Sequence, residues 1–276
     1  MAVFKVGCVQ NCATNNLEHN LPVVDSMIRL AVEKGAELVC LPEYYSALEQ
    51  DDKAYFDNGF SQKDHPALAH GKALAAELRI WISLGSVAIK GPQRKVFNRS
   101  FMISPTGRLE ARYDKIHLFD VEIKDGQKYA ESDVVNPGSR AVLVDLPWGS
   151  IGLSICYDVR FPLLYRRLAS AGAKFLTVPA AFTAKTGEAH WHSLLRARAI
   201  ETGCFVFAAA QCGTREWGRK TYGHSLIIDP WGRVLEDAGA DEGVVVAEIN
   251  TNDVDQARRR IPSLEHDRDI EFPSLM

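Results

Sequence analysis

SIGLSICYDVRFPLLYRRLASAGAKFLTVPAAF, residues 150–182, holds a complete strand–helix–strand unit. "IGLSIC" is apolar enough for a central strand buried on both faces. Pro162 suits the first turn of a helix, where the N–H that it lacks would have no partner. Leu164, Leu168 and Ala171 repeat at spacings of four and three, which is one face of a helix. "KFLTVPAAF" follows as a second apolar strand. Cys156 therefore stands on a strand-to-helix turn, at the carboxyl end of a strand. That edge is where α/β sheets place ligands. A nearby helix N-terminus favours a thiolate there.

The same alternation continues in both directions. Upstream, "VFKVGCVQ" and "AELVCLPE" read as strands around a helix with Leu21, Val24, Ile28 and Ala31 on one face and Gly35 at its end. "HPALAHGKALAAELR" is a helix and "IWISLGSVAI" a strand. "KVFNRSFMISPTGRLEARYDKIHLF" reads as a hairpin turning at Pro105-Thr106-Gly107. Residues 120–140 are polar and turn-rich, a long loop of the kind that carries function. Downstream come a helix over 187–203, the strand "CFVFAAAQ", the hairpin "SLIIDPWGRVLEDA", the strand "GVVVAEI" and a short helix near "VDQARRRI". Helices alternating with strands give an α/β fold, and the hairpins make its sheets mixed. No Pro/Gly/Ser-rich linker divides the chain, so residues 1–276 are expected to form one domain.

Composition narrows the function. Net charge is −3 and the sequence pI about 6.3, which points to neither nucleic acid nor an anionic membrane. The N-terminus has no charged region followed by a long apolar one, so no secretory signal is expected. No apolar run approaches the roughly 20 residues that span a bilayer. A cytoplasmic protein is expected. The six cysteines form no CxxC pair, which argues against a zinc ribbon or thioredoxin motif and for free thiols.

A buried, unreactive thiol is the alternative reading for any cysteine. Cys8, Cys40 and Cys204, inside apolar runs, keep it. Cys156 differs by its junction position and its polar neighbours Tyr157, Asp158 and Arg160. A nucleophilic cysteine needs a base and a charge stabiliser from elsewhere in the chain. Glu43 ends the apolar strand "AELVCLPE" and is expected at the same sheet edge, with its pKa raised by apolar surroundings. Lys115, in "RYDKIHLF", could face solvent, pair with Glu43 or hold an oxyanion. Glu131, in "KYAESDVVNPG", means nothing alone. The backbone N–H of Tyr157 could face a developing oxyanion.

Taken together, "LPE" with Glu43, "DKIHLFD" with Lys115, "ESD" with Glu131 and "GLSICYDVRFP" with Cys156 resemble the nitrilase (carbon–nitrogen hydrolase) superfamily in order and spacing. The resemblance covers nearly the whole chain. It implies an α-β-β-α sandwich with mixed sheets, a four-layer core completed on dimerisation, and a homodimer or higher homo-oligomer. It implies a catalytic set of Glu43, Lys115 and Cys156 supported by Glu131, with Lys115 and Tyr157 at the oxyanion. It implies no metal and no organic cofactor.

Nitrile-cleaving members follow the cysteine with Trp-Glu, whereas Tyr157-Asp158 stand here. "CYDVRFP", "TGEAHWHSLLRARAIE" and "YGHSLIIDPWG" are similar to the deaminated-glutathione amidase and omega-amidase branches, and "RARAIETGCFVFAAAQCG" is closer to the former. The resemblance implies hydrolysis of the terminal amide of a small carboxylate-bearing substrate through a thioester, with ammonia released. Deaminated glutathione is the expected substrate, with 2-oxoglutaramate or 2-oxosuccinamate as the alternative. A catalytically idle binding or scaffold protein is the reading from another class, and a papain-like Cys–His hydrolase finds no suitable histidine. Arg160 is expected to take the substrate carboxylate with a bidentate fork, or else to form a salt bridge at the helix start. Thr183 and Thr186 begin the next loop, Thr186 as a substrate contact or a helix N-cap. His190 and His192, two apart on a helix, point to different faces, so no metal site is expected from them. The run Arg258-Arg259-Arg260 reads as a solvated helix face.

Overall fold

The computed structural model describes residues 2–51, 53–123 and 127–270. Two segments of similar design form its body. The first runs β1 (Val3–Gln10), α1 (Leu17–Glu33), β2 (Leu38–Cys40), a single helical turn α2 (Ala54–Asp57), α3 (Pro66–Leu78) and β3 (Trp81–Ser83). It continues through β4 (Val87–Lys90), β5 (Val96–Ile103) and β6 (Leu109–Asp114). A short hairpin, β7 (Asp120–Ile123) and β8 (Gln127–Ala130), precedes a 3-10 turn at Glu131–Asp133. The expected loop of 120–140 therefore carries structure of its own.

The second segment runs β9 (Val142–Leu146), β10 (Gly149–Leu153), a 3-10 turn (Cys156–Arg160), α4 (Pro162–Ser170), β11 (Ala173–Thr177), α5 (Ala184–Thr202) and β12 (Phe205–Ala208). The hairpin β13 (Leu226–Ile228) and β14 (Val234–Asp237) follows, then β15 (Gly243–Asn250) and α6 (Asn252–Arg260). Helix α4 stops at Ser170, so the exposed Ala171 caps it rather than extending its apolar face. Helix α5 starts three residues earlier than the sequence suggests, which makes Thr183 its N-cap residue.

The first sheet orders β15-β1-β2-β3-β5-β4, with β6 also paired to β5. Its core trio β1, β2 and β3 is parallel, and β15 and β5 flank it antiparallel. The second sheet orders β14-β13-β12-β11-β10-β9, with β10, β11 and β12 parallel and antiparallel strands outside them. Helices α1 and α3 bury Val24, Ile28, Ala31, Leu68 and Leu74 against the first sheet. Helices α4 and α5 bury Leu164, Leu168, Trp191 and Leu195 against the second. The inner faces meet where Phe4 of β1 stacks on Trp148 at 4.1 Å and meets Phe175 of β11 edge-on at 5.3 Å. The result is an α-β-β-α sandwich with mixed sheets; one chain supplies all four layers, so the four-layer core expected to be completed on dimerisation is already complete within one chain.

In the run Arg258-Arg259-Arg260, Arg259 and Arg260 are exposed as expected, and only Arg258 departs from the solvated reading. Arg258 donates to the carbonyls of Thr202 and Ala173, tying α6 to the second sheet. No helix among the described residues is long and apolar enough to cross a membrane.

Candidate active site

Glu43 lies three residues past β2, on a loop that the turn after β3 clamps from behind. Leu41 N–H donates to Ser83 O, and Ser86 N–H to Pro42 O. The Ser86 hydroxyl accepts from Tyr44 N–H at 3.1 Å. Gly85 has φ +55°, and a Cβ there would fall 2.0 Å from the Pro42 carbonyl oxygen. Only glycine combines that backbone with that approach. The clamp aims the Glu43 side chain between the sheets, where it is buried.

Lys115 follows β6, and its backbone is held on both sides. Its N–H donates to Asn98 O at 3.0 Å, and its carbonyl accepts from Gly138 N–H at 2.8 Å. Its ammonium donates to Glu43 Oε1 at 3.0 Å and to both Glu131 oxygens at 3.0 and 2.9 Å. Glu131 is fixed in turn by Phe119 N–H at 2.6 Å. Asn98 Nδ2 donates to Glu43 Oε1 at 2.8 Å and lies 3.4 Å from Glu131 Oε1. Asn98 escapes a reading of the sequence, in which it is one polar residue inside the apolar strand "VFNRSFMI".

Cys156 comes from the other sheet, just past β10. The expectation of a single shared edge therefore changes: the base and the thiol stand at the carboxyl ends of strands in two facing sheets. Cys156 has φ +49°, a left-handed backbone that costs a non-glycine residue about 1–2 kcal/mol. Its N–H donates to Pro179 O at 2.8 Å. Asp158 secures the turn and is fully buried. One of its oxygens accepts from Ile155 N–H at 2.8 Å and Tyr113 O–H at 2.7 Å. The other accepts from His117 N–H at 3.0 Å and His117 Nδ1 at 2.7 Å. A carboxylate only accepts, so Nδ1 carries the hydrogen. The His117 ring stacks on Phe161 at 3.6 Å, which fixes the far end of the turn.

The charges decide what this cluster does. Burial pushes the Glu43 carboxyl up, but the Lys115 charge and hydrogen bonds from Cys156, Lys115 and Asn98 outweigh it and hold it below the ordinary range. The raised value expected from the sequence is thereby reversed, because the counter-ion lies 72 residues away in the chain. Burial and the Glu43 charge push the Cys156 thiol well up, and Lys115 only partly opposes them. The thiolate expected from a helix N-terminus is not the resting form. Burial pulls Lys115 down, yet the two carboxylates leave it well above the ordinary ammonium value. These directions favour a protonated thiol beside an ionised carboxylate at neutral pH.

These groups floor a cleft with both polar and aromatic walls. Tyr157, Phe119, Tyr129 and Phe182 line it with aromatic surface, and Thr183 and Thr186 lie at the rim on the α5 side. The two threonine hydroxyls bond each other at 2.8 Å, and neither caps α5 with its side chain. Ala181 N–H donates to Glu43 Oε2 at 2.8 Å, which links the base to the wall beyond β11. Arg160 is outside this lining, in the adjoining hollow with Lys185 and His190. Its guanidinium meets His190 Nδ1 at 3.3 Å and lies over the Tyr157 and Phe182 rings. The expected salt bridge at the helix start is replaced by these contacts. Tyr44 and Arg219 also line the cleft, and sequence reading singled out neither. The Tyr44 hydroxyl is buried there without a protein hydrogen-bond partner.

The carbon-nitrogen hydrolase family model matches residues 5–259. The chain is 43% identical over 273 residues to the deaminated glutathione amidase of Synechocystis sp. (strain PCC 6803 / GT-S), covering 96% of this chain and 98% of that one. The structure is similar to that of the C. elegans NitFhit protein, with a TM-score of 0.90 and 38% identity over 97% of this chain and 66% of that chain. It is also similar to an amidase from Nesterenkonia sp. AN1, with a TM-score of 0.79 and 25% identity over 93% of this chain and 94% of that one. That structure, of a glutamate-to-leucine mutant of the amidase, shows covalent addition of the acetamide moiety of fluoroacetamide at the active-site cysteine.

Proposed function

The chain belongs to the carbon–nitrogen hydrolase family, and from that premise we propose how its cleft cleaves an amide. It is a cysteine-dependent amidohydrolase. In our reading Cys156 is the nucleophile, Glu43 the base and Lys115 the charge stabiliser. The observation that carries this is the buried ion pair of Glu43 with Lys115 in the same cleft as the Cys156 thiol.

Glu43 accepts the thiol proton as sulfur attacks the amide carbonyl. The developing oxyanion is met by Lys115 Nζ and the N–H of Tyr157. Glu43 passes the proton to the departing nitrogen, leaving a thioester. Water then attacks the thioester as Glu43 takes its proton, and the thiol is restored. Glu131 holds Lys115 from the far side, so the ammonium stays in place while Glu43 changes charge.

The substrate we infer is deaminated glutathione, by likeness to the amidase of that name. The cationic groups support an anionic substrate. Arg160 stands beside the cleft to receive a carboxylate, and Arg219 is set in its wall. Thr183, Thr186 and the Tyr44 hydroxyl supply polar contacts. An omega-amidase acting on 2-oxoglutaramate or 2-oxosuccinamate is the second reading, because the same groups suit a shorter acid amide.

The leaving group separates the two. Glutathione joins its glutamyl unit to cysteinylglycine through a secondary amide, so cleavage there frees a peptide amine and not the ammonia expected from the sequence. A primary amide frees ammonia. Purified protein is expected to release cysteinylglycine from deaminated glutathione with a higher kcat/KM than ammonia from 2-oxoglutaramate. The reverse ranking would favour the omega-amidase, and turnover of neither would overturn both. Arg160→Ala should raise KM about tenfold, the loss of roughly one charged hydrogen bond, with kcat little changed.

We take residues 1–276 as one hydrolase domain, since both sheets share a continuous core. All six cysteines are free, which fits the reducing cytoplasm in which we place the protein. Exposed Leu163, Ile200, Trp231 and Ile261 support a homodimer or larger homo-oligomer, testable by sedimentation.

A further inference from the structure

Outside the cleft, three side chains from separate elements converge. His192 lies on α5, His224 on the approach to β13, and Asp237 at the end of β14. His192 Nε2 is 3.0 Å from Asp237 Oδ2. His224 Nδ1 is 2.9 Å from Oδ1 and 3.2 Å from Oδ2 of the same carboxylate. One donor atom from each residue falls within 4.8 Å of the other two. We propose that His192, His224 and Asp237 bind a divalent transition-metal ion, with zinc as the ion of choice.

The donor set fits. Two imidazoles and a carboxylate suit zinc, nickel or copper rather than magnesium or calcium, which take oxygen ligands. Three protein ligands on a partly exposed surface leave a fourth position for water. Their side chains are about a quarter to a third exposed, so an ion has a path in.

The surroundings hold the ligands in place. Gly239 N–H donates to Asp237 Oδ1 at 2.9 Å and orients the carboxylate. His224 has φ +54°, and both of its backbone groups are tied down. Its N–H donates to Gly239 O at 2.7 Å, and its carbonyl accepts from Trp191 Nε1 at 2.7 Å. The Tyr222 ring stacks on the His224 ring at 4.4 Å. Such supporting contacts set the orientation and tautomer of metal ligands.

Without metal, the two ring nitrogens that face the carboxylate donate hydrogens to it. Metal binding moves those hydrogens to the outward nitrogens, His192 Nδ1 and His224 Nε2, so no net proton is needed. Small ring rotations then bring the three donors to about 2.0–2.2 Å from one ion. The ion would pin α5 to the β13–β14 hairpin. Trp191, next to His192, packs on Phe182 of the cleft wall at 4.8 Å, so the tie reinforces the site without entering its chemistry.

The test is zinc titration of metal-stripped full-length protein by calorimetry, with cobalt absorption as a second readout. Wild type is expected to bind one equivalent at this site and to gain thermal stability with zinc. His192→Gln and Asp237→Asn should each weaken that binding about 100-fold or more. Both should keep the metal-free amidase rate, because neither residue touches the cleft. Cobalt bound at this site should lack thiolate-to-metal absorption. Equal binding by wild type and both variants, or no binding below millimolar zinc, would overturn the proposal. A thiolate band would do so as well, by placing the ion at a cysteine.

Discussion

Both halves of the chain build three parallel strands joined by helices, and each delivers one half of the proposed reaction from a strand end. The first half delivers Glu43, the proposed base, just past β2. The second delivers Cys156, the proposed nucleophile, just past β10. They secure these residues differently. The base sits on a loop clamped by backbone contacts around Gly85, and its charge is matched by Lys115. The thiol sits on a left-handed turn tied by one buried carboxylate, Asp158, which accepts from Ile155, Tyr113 and His117. Polar hydrogen bonds suffice for a residue that never changes charge. A residue that must gain and lose a proton needs a permanent counter-charge nearby.

The largest expected effect comes from removing either partner. Cys156→Ala should lower turnover about 10⁴-fold or more, since no other group forms the thioester. Glu43→Gln keeps the shape of the base but not its proton affinity, and should cost about 10²–10⁴-fold in kcat. Steady-state product release with unchanged circular dichroism would check both. Activity surviving in Cys156→Ala would remove the thiol from the mechanism.

Next is the counter-charge. Lys115→Met should leave the buried Glu43 and the part-buried Glu131 unopposed and destabilise the fold by about 3–5 kcal/mol, read from urea unfolding. Glu131→Gln, which leaves Lys115 one charged partner, should cost less. Equal losses would mean that the stabilisation from Lys115 runs mainly through Glu131.

The two anchoring devices are compared by Gly85→Ala and Asp158→Asn. A methyl group at Gly85 meets backbone oxygen, so Gly85→Ala should displace the base and lower both stability and kcat. Asp158→Asn turns an acceptor of four hydrogens into a group that accepts at one end only. A loss of about 1–3 kcal/mol is expected, with a drop in kcat and little change in KM. A normal kcat in Asp158→Asn would show that the turn holds its shape without the carboxylate.

The smallest effect is on pH dependence. Glu43 titrates below its ordinary value in the fold, so its stabilisation is complete above the unfolded-state value. It is lost as pH falls through the lower folded one. Lys115 and Cys156 titrate above their ordinary values. Their contributions are complete below the unfolded-state values and are lost as pH rises through the folded ones. Urea midpoints should fall at both extremes, and Glu43→Gln should flatten the acid limb. An acid limb that Glu43→Gln leaves unchanged would assign it to other carboxylates.

The strands, helices and the four motif residues were legible in the sequence because their signals are local. Apolar periodicity marked β1, α1, β10 and α4, and Pro162 marked where α4 begins. Cys156 stood out by its junction, and Glu43 by its place after an apolar strand. Other parts were not legible. "AELVCLPE" shows a carboxylate beside apolar residues, and burial alone would raise its pKa. The lysine that reverses the sign comes from a different hairpin. Asp158 looked like a polar neighbour of the thiol, but three of its four hydrogen-bond donors come from the distant segment of Tyr113 and His117. His192 paired with His190 in the sequence, whereas folding sends it to Asp237 and sends His190 to Arg160. Side-chain pattern along one segment is set by its own backbone geometry, so the sequence alone determined the elements and the candidate residues. Which sheet faces which, and which charge meets which carboxylate, was decided only when both sheets buried their apolar faces together. That packing joins residues far apart in the chain, and no local pattern records it.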